Sequence, residues 1–292
     1  MRLIMAMALG FCAASAHAAP APILARAAVL QPPVWVERDG SRTALRPGAP
    51  LYAGDHYETG PGGRLHIETE DASTIKLGEN AQFQLPVLAI VDDGSEGGLF
   101  RGALKVLKGA FRFTTSALGV LRKREVDVSI GPTITAGIRG TDIWGKSEDS
   151  QELLCLLEGK VQVSSPGQPE QTMDQPQTFY VVPRDQAPLP IQPTPEGKLA
   201  KWALQTEMDP SAAALQASGR FRVVLASFAN EAQATHEAAR LAQLGYAADV
   251  LSAQTRFRVV MTGFESKAEA ARFAGALRGK LGLQQPWVMA PG

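Results

Sequence analysis

The chain has 292 residues, 45% of them hydrophobic and 20% charged, which is enough for two ordinary domains and too apolar for wholesale disorder. Its formal net charge is zero, so the overall balance does not single out a polyanionic partner. The charge is unevenly divided: residues 219–292 carry 9 Lys+Arg against 5 Asp+Glu, a net of +4, and residues 19–218 carry 19 against 24, a net of −5.

Arg2, the apolar run from Leu3 to Ala14 and the small residues Ala16 and Ala18 predict a secretory signal peptide over residues 1–18, cut after Ala18. The bulky Phe11 ahead of Cys12 disfavours a lipid-modified cysteine, so a lipoprotein is the minority reading. Cleavage leaves Cys155 alone among leucines, a pattern of a buried and inert thiol. No later segment is long and apolar enough to span a bilayer, and the expectation is a soluble protein of the periplasm.

From residue 34 to about residue 182 the apolar runs are short and the turn residues dense. Asp39-Gly40, Gly54-Asp55, Gly60 to Gly63, Asp71 to Thr74 and Gly78-Glu79-Asn80 each predict a turn. Leu65, Ile67 and Thr69 alternate with polar neighbours, as do Val126, Val128 and Ile130, which is the period of half-buried strands. The prediction is an all-β domain over 34–182, a short-strand sandwich or a solenoid-like stack. Glycines flanking Arg139 imply a backbone that bends sharply or closely approaches another strand. Arg139 and Asp142 form a weak candidate for protein interaction. The structural alternative is a turn that Arg139 holds through Asp142 or backbone carbonyls. Trp35 and Trp144 are expected as core anchors.

The order of these signals closely resembles the FecR domain family over about residues 34–165. The matching pieces are Gly54-Asp55 with Thr59-Gly60, Asp71 to Leu77, Gly78 to Ala81, Lys108 to Phe113, Thr135 to Asp142 and Leu157 to Val161. The resemblance implies an extracytoplasmic, non-catalytic module for protein interaction or signal relay. The family's founding regulators look like inner-membrane proteins with a cytoplasmic segment controlling a sigma factor. The cleavable signal here makes that route unexpected.

Prolines 183, 188, 190, 193 and 195 predict a stiff connector. A short helix is expected over 197–205 with Leu199 and Trp202 on one side, and Pro210 with the Ser/Ala run after it restores flexibility. The linker spans 183–218.

No catalytic constellation emerges. The histidines are scattered without metal-ligand spacing, and no HExxH, CxxC, phosphate loop or GxSxG elbow occurs. The reading is of a protein with no catalytic residues, no metal and no cofactor.

Residues 221–228 read FRVVLASF and residues 257–264 read FRVVMTGF, an echo at a spacing of 36. Each is followed by an Ala-rich helical pattern, the first opened by Asn230 and stopped at Leu244-Gly245, the second opened by Ser266 to Glu269 and running through Leu281. With strands at 247–252 and 286–289, the prediction is an α+β domain of order β-α-β-β-α-β over 219–292. It has a four-stranded antiparallel sheet and both helices on one face. Simple alternation puts Phe221, Val223 and Leu225 beneath the helices, and Arg222, Val224 and Ala226 on the other face with Arg256 and Arg258.

This half strongly resembles the SPOR domain family, through the aromatic-x-Val pattern of Phe221 to Val223, Ser227-Phe228, Phe257 to Val259 and Ala268 to Ala271. The resemblance implies binding of peptidoglycan glycan strands, above all those stripped of stem peptides, along the bare sheet. The implied contacts are Ser227 and Arg258, with Arg256 where an aromatic can stand. Val224 occupies a position where the family typically has glutamine. Loss of that amide removes a donor and an acceptor, which Arg222, Arg256 and Arg258 are placed to offset. The expected glycan-binding set is therefore Arg222, Val224, Ser227, Arg256 and Arg258. An RNA-binding sheet of the same topology is disfavoured, because the phenylalanines alternate inward and the signal exports the chain, so no nucleic-acid partner is expected.

Two functions are consistent with this reading. The first is a non-enzymatic envelope protein that docks on peptidoglycan while the first domain engages an unidentified envelope protein. The second is a signal-relay or scaffold protein in which the first domain carries specificity and the second is an anchor.

Overall fold

A computed structural model describes residues 23–95, 97–116 and 123–289. The signal segment and Cys12 lie outside the described residues.

The first part of the chain is a large β domain. Its strands are β1 (Ala25–Gln31), β2 (Val34–Arg38), β3 (Ser41–Ala44), β4 (His56–Thr59), β5 (Arg64–Thr69), β6 (Thr74–Leu77), β7 (Gln82–Val91), β8 (Leu99–Thr114), β9 (Arg124–Ile130), β10 (Ile134–Ser147), β11 (Gln151–Ser164), β12 (Gln171–Met173) and β13 (Thr178–Pro183). The sequence patterns act where they are local. Asp39 and Gly40 both take positive φ, 51° and 73°, between the paired Arg38 and Ser41, as a two-residue hairpin requires. Leu65 and Ile67 are fully buried while His66 and Glu68 are not.

Three strands are far longer than the expected short ones: β8 has 16 residues, and β10 and β11 have 14 each. They serve two neighbourhoods apiece because bulges bend them. The first half of β8 pairs with β7 and, in parallel, with β9. The second half pairs with β6 and β10. Gly109 sits at the changeover with φ 85°, and a Cβ there would lie 2.7 Å from the Ala81 backbone. Phe111, Phe113, Ile143, Leu154 and Leu156 are buried between the layers this bending creates.

The segment expected as a connector is tied to the β domain along most of its length. It contains β14 (Gln192–Pro193), α1 (Lys198–Thr206) and β15 (Leu215–Gln216). β14 pairs with β13, and β15 pairs with β1. Helix α1 covers the outer face of the sheet, where Trp144, Leu153, Cys155 and Val181 form a separate buried cluster. Trp202 stacks on Trp144 with ring centroids 5.0 Å apart and planes 5° from parallel, and Phe179 meets Trp202 edge-on at 6.0 Å. After the helix, Glu207 binds Lys76 (Nζ–Oε2 2.6 Å) and Arg112 (3.3 Å). Gln31 donates to the Asp209 carbonyl at 2.8 Å. A nine-residue helix is too short to hold itself in water, so docking maintains it. Trp202→Ala is expected to cost about 2 kcal/mol, from the lost stack and part of its burial, and to raise amide exchange over 198–206 well above that of β10.

The second domain contains β16 (Phe221–Phe228), α2 (Glu231–Gln243), β17 (Asp249–Ala253), β18 (Arg256–Phe264), α3 (Lys267–Leu277) and β19 (Trp287–Met289). The sheet order is β17-β18-β16-β19, all antiparallel, so the two echoed segments are its central strands. Asn230 caps α2 by accepting from the amides of Ala232 and Gln233, and Ser266 caps α3 by accepting from Glu269. Helix α3 ends at Leu277, and Leu281 lies beyond it at φ 54°. Ala234, Leu241, Ala270, Phe273 and Leu277 close over Val223, Leu225, Val259 and Met261 on one face.

The two domains meet directly. Trp35 Nε1 donates to the Gln243 carbonyl at 2.9 Å, Val34 N donates to the Gly245 carbonyl at 3.2 Å, and Arg46 pairs with Asp249 at 2.8 Å. Trp35 is therefore an anchor between domains rather than a residue of the β core, whereas Trp144 is a core residue, 2% exposed.

Candidate functional site

The sheet of the second domain has one face without helices, and the second of two register shifts between its central strands decides what the end of β16 displays. The register between β16 and β18 slips between Val224 and Ala226, leaving Leu225 as a bulge. Simple alternation would put Ala226 on the open face and Ser227 beneath the helices. The extra residue reverses both. Ala226 packs against the helix-side core opposite Val259, and Ser227 comes opposite Arg258.

The expected contact residues then divide. Arg256 is exposed and grips Ser227 twice, from Nε to the hydroxyl at 2.9 Å and from Nη2 to the carbonyl at 2.8 Å. Arg258 rises from β18, and its Nη1 comes within 3.6 Å of Met289 Sδ on β19. Because β16 lies between these strands, the Arg258 side chain crosses over β16 on its way. Val224 is fully buried opposite Val260, also fully buried, and neither belongs to the helix-side cluster. They form an apolar floor on which an arginine stem can lie. Val224 thus offers a ligand no surface. The strand that carries it is the one the Arg258 side chain crosses to reach Met289. The polar group on offer here is therefore a guanidinium in place of the amide that a glutamine would have supplied.

Arg222 lies opposite both Thr262 and Met289, and among the described residues its guanidinium has no hydrogen-bond or ion-pair partner. Arg258 thus reaches the residue that stands opposite Arg222. The strand residues of this face include one carboxylate, Asp249, opposite Val260, and Arg46 of the first domain already neutralises it. The domain contact therefore leaves the face with three guanidinium cations. Sequence reading missed Trp287. It pairs with Val224, alternates with the core-facing Val288 and is 42% exposed. Three residues of edge strand give too little alternation to assign a face, so no sequence signal marked it.

In the first domain, Arg139 and Asp142 do not meet as a pair. Arg112 holds Asp142 through two bonds, Nε–Oδ1 at 3.0 Å and Nη2–Oδ2 at 2.6 Å, and Thr114 adds a third at 3.2 Å. Asp142 is 9% exposed and structural, since a charge this buried is retained only with partners. Arg139 is exposed, donates to the Ile138 carbonyl at 3.2 Å and lines a cleft of about 700 Å³ with Lys123, Glu125 and Glu158. Cys155 is fully buried, and burial pushes its thiol up to about 11, which keeps it protonated and unreactive.

Residues 55–162 match the family model described as FecR protein, and residues 217–290 match that described as SPOR domain. Neither is an enzyme family. No curated protein matches the sequence. Two similar solved structures are crystal structures of a candidate anti-sigma factor from Parabacteroides distasonis ATCC 8503. One is 15% identical with a TM-score of 0.41, covering 51% of this chain and 64% of that one. The other is 11% identical with a TM-score of 0.40, covering 81% of this chain and 99% of that one. This chain therefore spans 64% of the first.

Proposed function

We propose, for a chain that carries a FecR domain followed by a SPOR domain, a non-enzymatic role in the cell envelope. The protein is exported to the periplasm and binds stripped glycan strands of peptidoglycan along the open face of its C-terminal sheet. The FecR domain acts as its protein-interaction module. The observation that carries this reading is the helix-free face itself, on which Arg222, Ser227, Arg256 and Arg258 come together beside the exposed ring of Trp287. Guanidinium groups suit sugar hydroxyl, acetamido and carboxylate oxygens. An exposed indole offers an apolar surface to the face of a sugar ring.

Pull-down on amidase-treated sacculi tests it. Recovery of the Arg256→Ala, Arg258→Ala double variant is expected to fall at least fivefold below the unmodified chain, and equal recovery would refute the site. Loss of the Arg256 grip also frees Ser227, so a folding check by circular dichroism accompanies the comparison.

A second reading draws on the cleft beside Arg139, which is large enough to receive part of a partner. In it the FecR domain carries the specificity and the SPOR domain only anchors. Fluorescent fusions of the full chain separate the two. Loss of septal enrichment in the arginine variant supports the first reading, and enrichment that survives it but fails in Arg139→Glu supports the second.

A further inference from the structure

Three features of the open face converge on one chemical preference. Arg258 reaches Met289, the residue that stands opposite Arg222, so both arginines serve the same end of the open face. Among the described residues neither has a carboxylate partner, and the face's own acid, Asp249, is held by Arg46. The floor between them is apolar, made of Val224 and Val260, so no neutral amide competes for a ligand there. Two guanidinium groups over an apolar floor fit a planar anion accepting paired, charge-assisted bonds.

Stripped glycan carries such an anion. In intact peptidoglycan the lactyl carboxyl of each N-acetylmuramic residue is tied to the stem peptide as a neutral amide. Removing the peptide by amide hydrolysis leaves that carboxyl free and ionised. We propose that Arg222 and Arg258 bind this freed lactyl carboxylate, so that the face recognises stripped strands by the charge that stripping exposes. The proposal rests on the glycan-binding reading of the same face and gives it a chemical basis for selectivity. It also accounts for valine at position 224: a small apolar side chain leaves room for the guanidinium of Arg258 where an amide would block it.

The test compares two ligands on the full chain by isothermal titration: amidase-stripped glycan strands, and the same strands with lactyl carboxyls capped as methylamides. Capping removes the charge and leaves every ring, hydroxyl and acetamido group in place. Capped strands are expected to bind at least tenfold more weakly, with most of the difference lost as salt rises from 50 to about 500 mM. Arg222→Ala, Arg258→Ala is expected to bind free-acid strands as weakly as capped ones, while the Lys, Lys pair keeps part of the preference because it keeps the charge. Equal binding of both ligands by the unmodified chain overturns this inference and leaves glycan binding standing. Binding of neither overturns both. The ligand comparison needs no variant, so misfolding of a variant cannot obscure it.

Discussion

Replacing Asp55 with alanine is expected to lower stability by on the order of 3 kcal/mol, among the largest single-residue effects in the chain. Asp55 is 2% exposed and accepts from two side chains. Arg38 binds both its oxygens, and the buried Tyr57 hydroxyl donates to it at 2.8 Å. The same hydroxyl accepts from the Tyr52 amide at 3.2 Å. Alanine leaves the Tyr57 hydroxyl without an acceptor in the core, and that orphan makes up most of the cost. The ion pair contributes less, because Arg38 remains 45% exposed and can turn to water. Arg38→Ala is accordingly expected to cost only about 1 kcal/mol. Melting by calorimetry should show roughly 6–12 °C lost for Asp55→Ala.

Acid sensitivity follows from the same site. Burial pushes the Asp55 carboxyl up, but the bonds from Arg38 and Tyr57 outweigh it and hold the group below its ordinary 3.8. A depressed carboxylate contributes stability that is complete above its unfolded value and is lost as pH falls through the folded one. The unmodified chain should therefore lose stability more steeply below about pH 4 than Asp55→Asn, which has no proton to gain there.

Gly159→Ala is expected to cost about 3 kcal/mol by a different route. Gly159 sits at φ +87°, and its added Cβ would lie 2.5 Å from the Gly140 carbonyl oxygen and 3.1 Å from the Thr141 Cα. Left-handed backbone costs a non-glycine residue about 1–2 kcal/mol, and displacing backbone from a filled site adds about 1–3. The neighbour that must move is the bulge at Arg139-Gly140, where β10 slips its register against β11 between Ile138 and Thr141. That shift would disturb the Arg112–Asp142 pair next to it, so urea unfolding should show a lower midpoint. Gly275 is the control. It lies inside α3 with nothing within 4 Å of an added Cβ, and Gly275→Ala is expected to stabilise by about 0.5–1 kcal/mol through helix propensity alone.

Much of the C-terminal domain was legible because its signals are short-range. Asn230 and Ser266 cap the helices they precede, and the echo of 221–228 in 257–264 marked the two central strands. The resemblance to known families located both domains. The Asp39-Gly40 hairpin was equally readable, since two positive φ values demand those residue types.

What escaped the sequence depends on contacts between distant residues. Glu207 meets Lys76 across 131 positions, and Trp202 finds Trp144 on the outside of a sheet whose strands bend. A proline-rich segment gives no sign that it will be held. The bulge at Leu225 is the decisive case. By itself the sequence determined that a bare sheet face would carry arginines. The family resemblance already counted Ser227 among the contacts, against simple alternation. Only the tertiary structure decided how it reaches that face, that Ala226 turns inward and that Val224 is buried opposite Val260. The physical reason is that alternation has a period of two, so one extra residue moves every later side chain to the opposite face. Where that residue falls is set by pairing between strands and by packing against the helices, not by the local pattern.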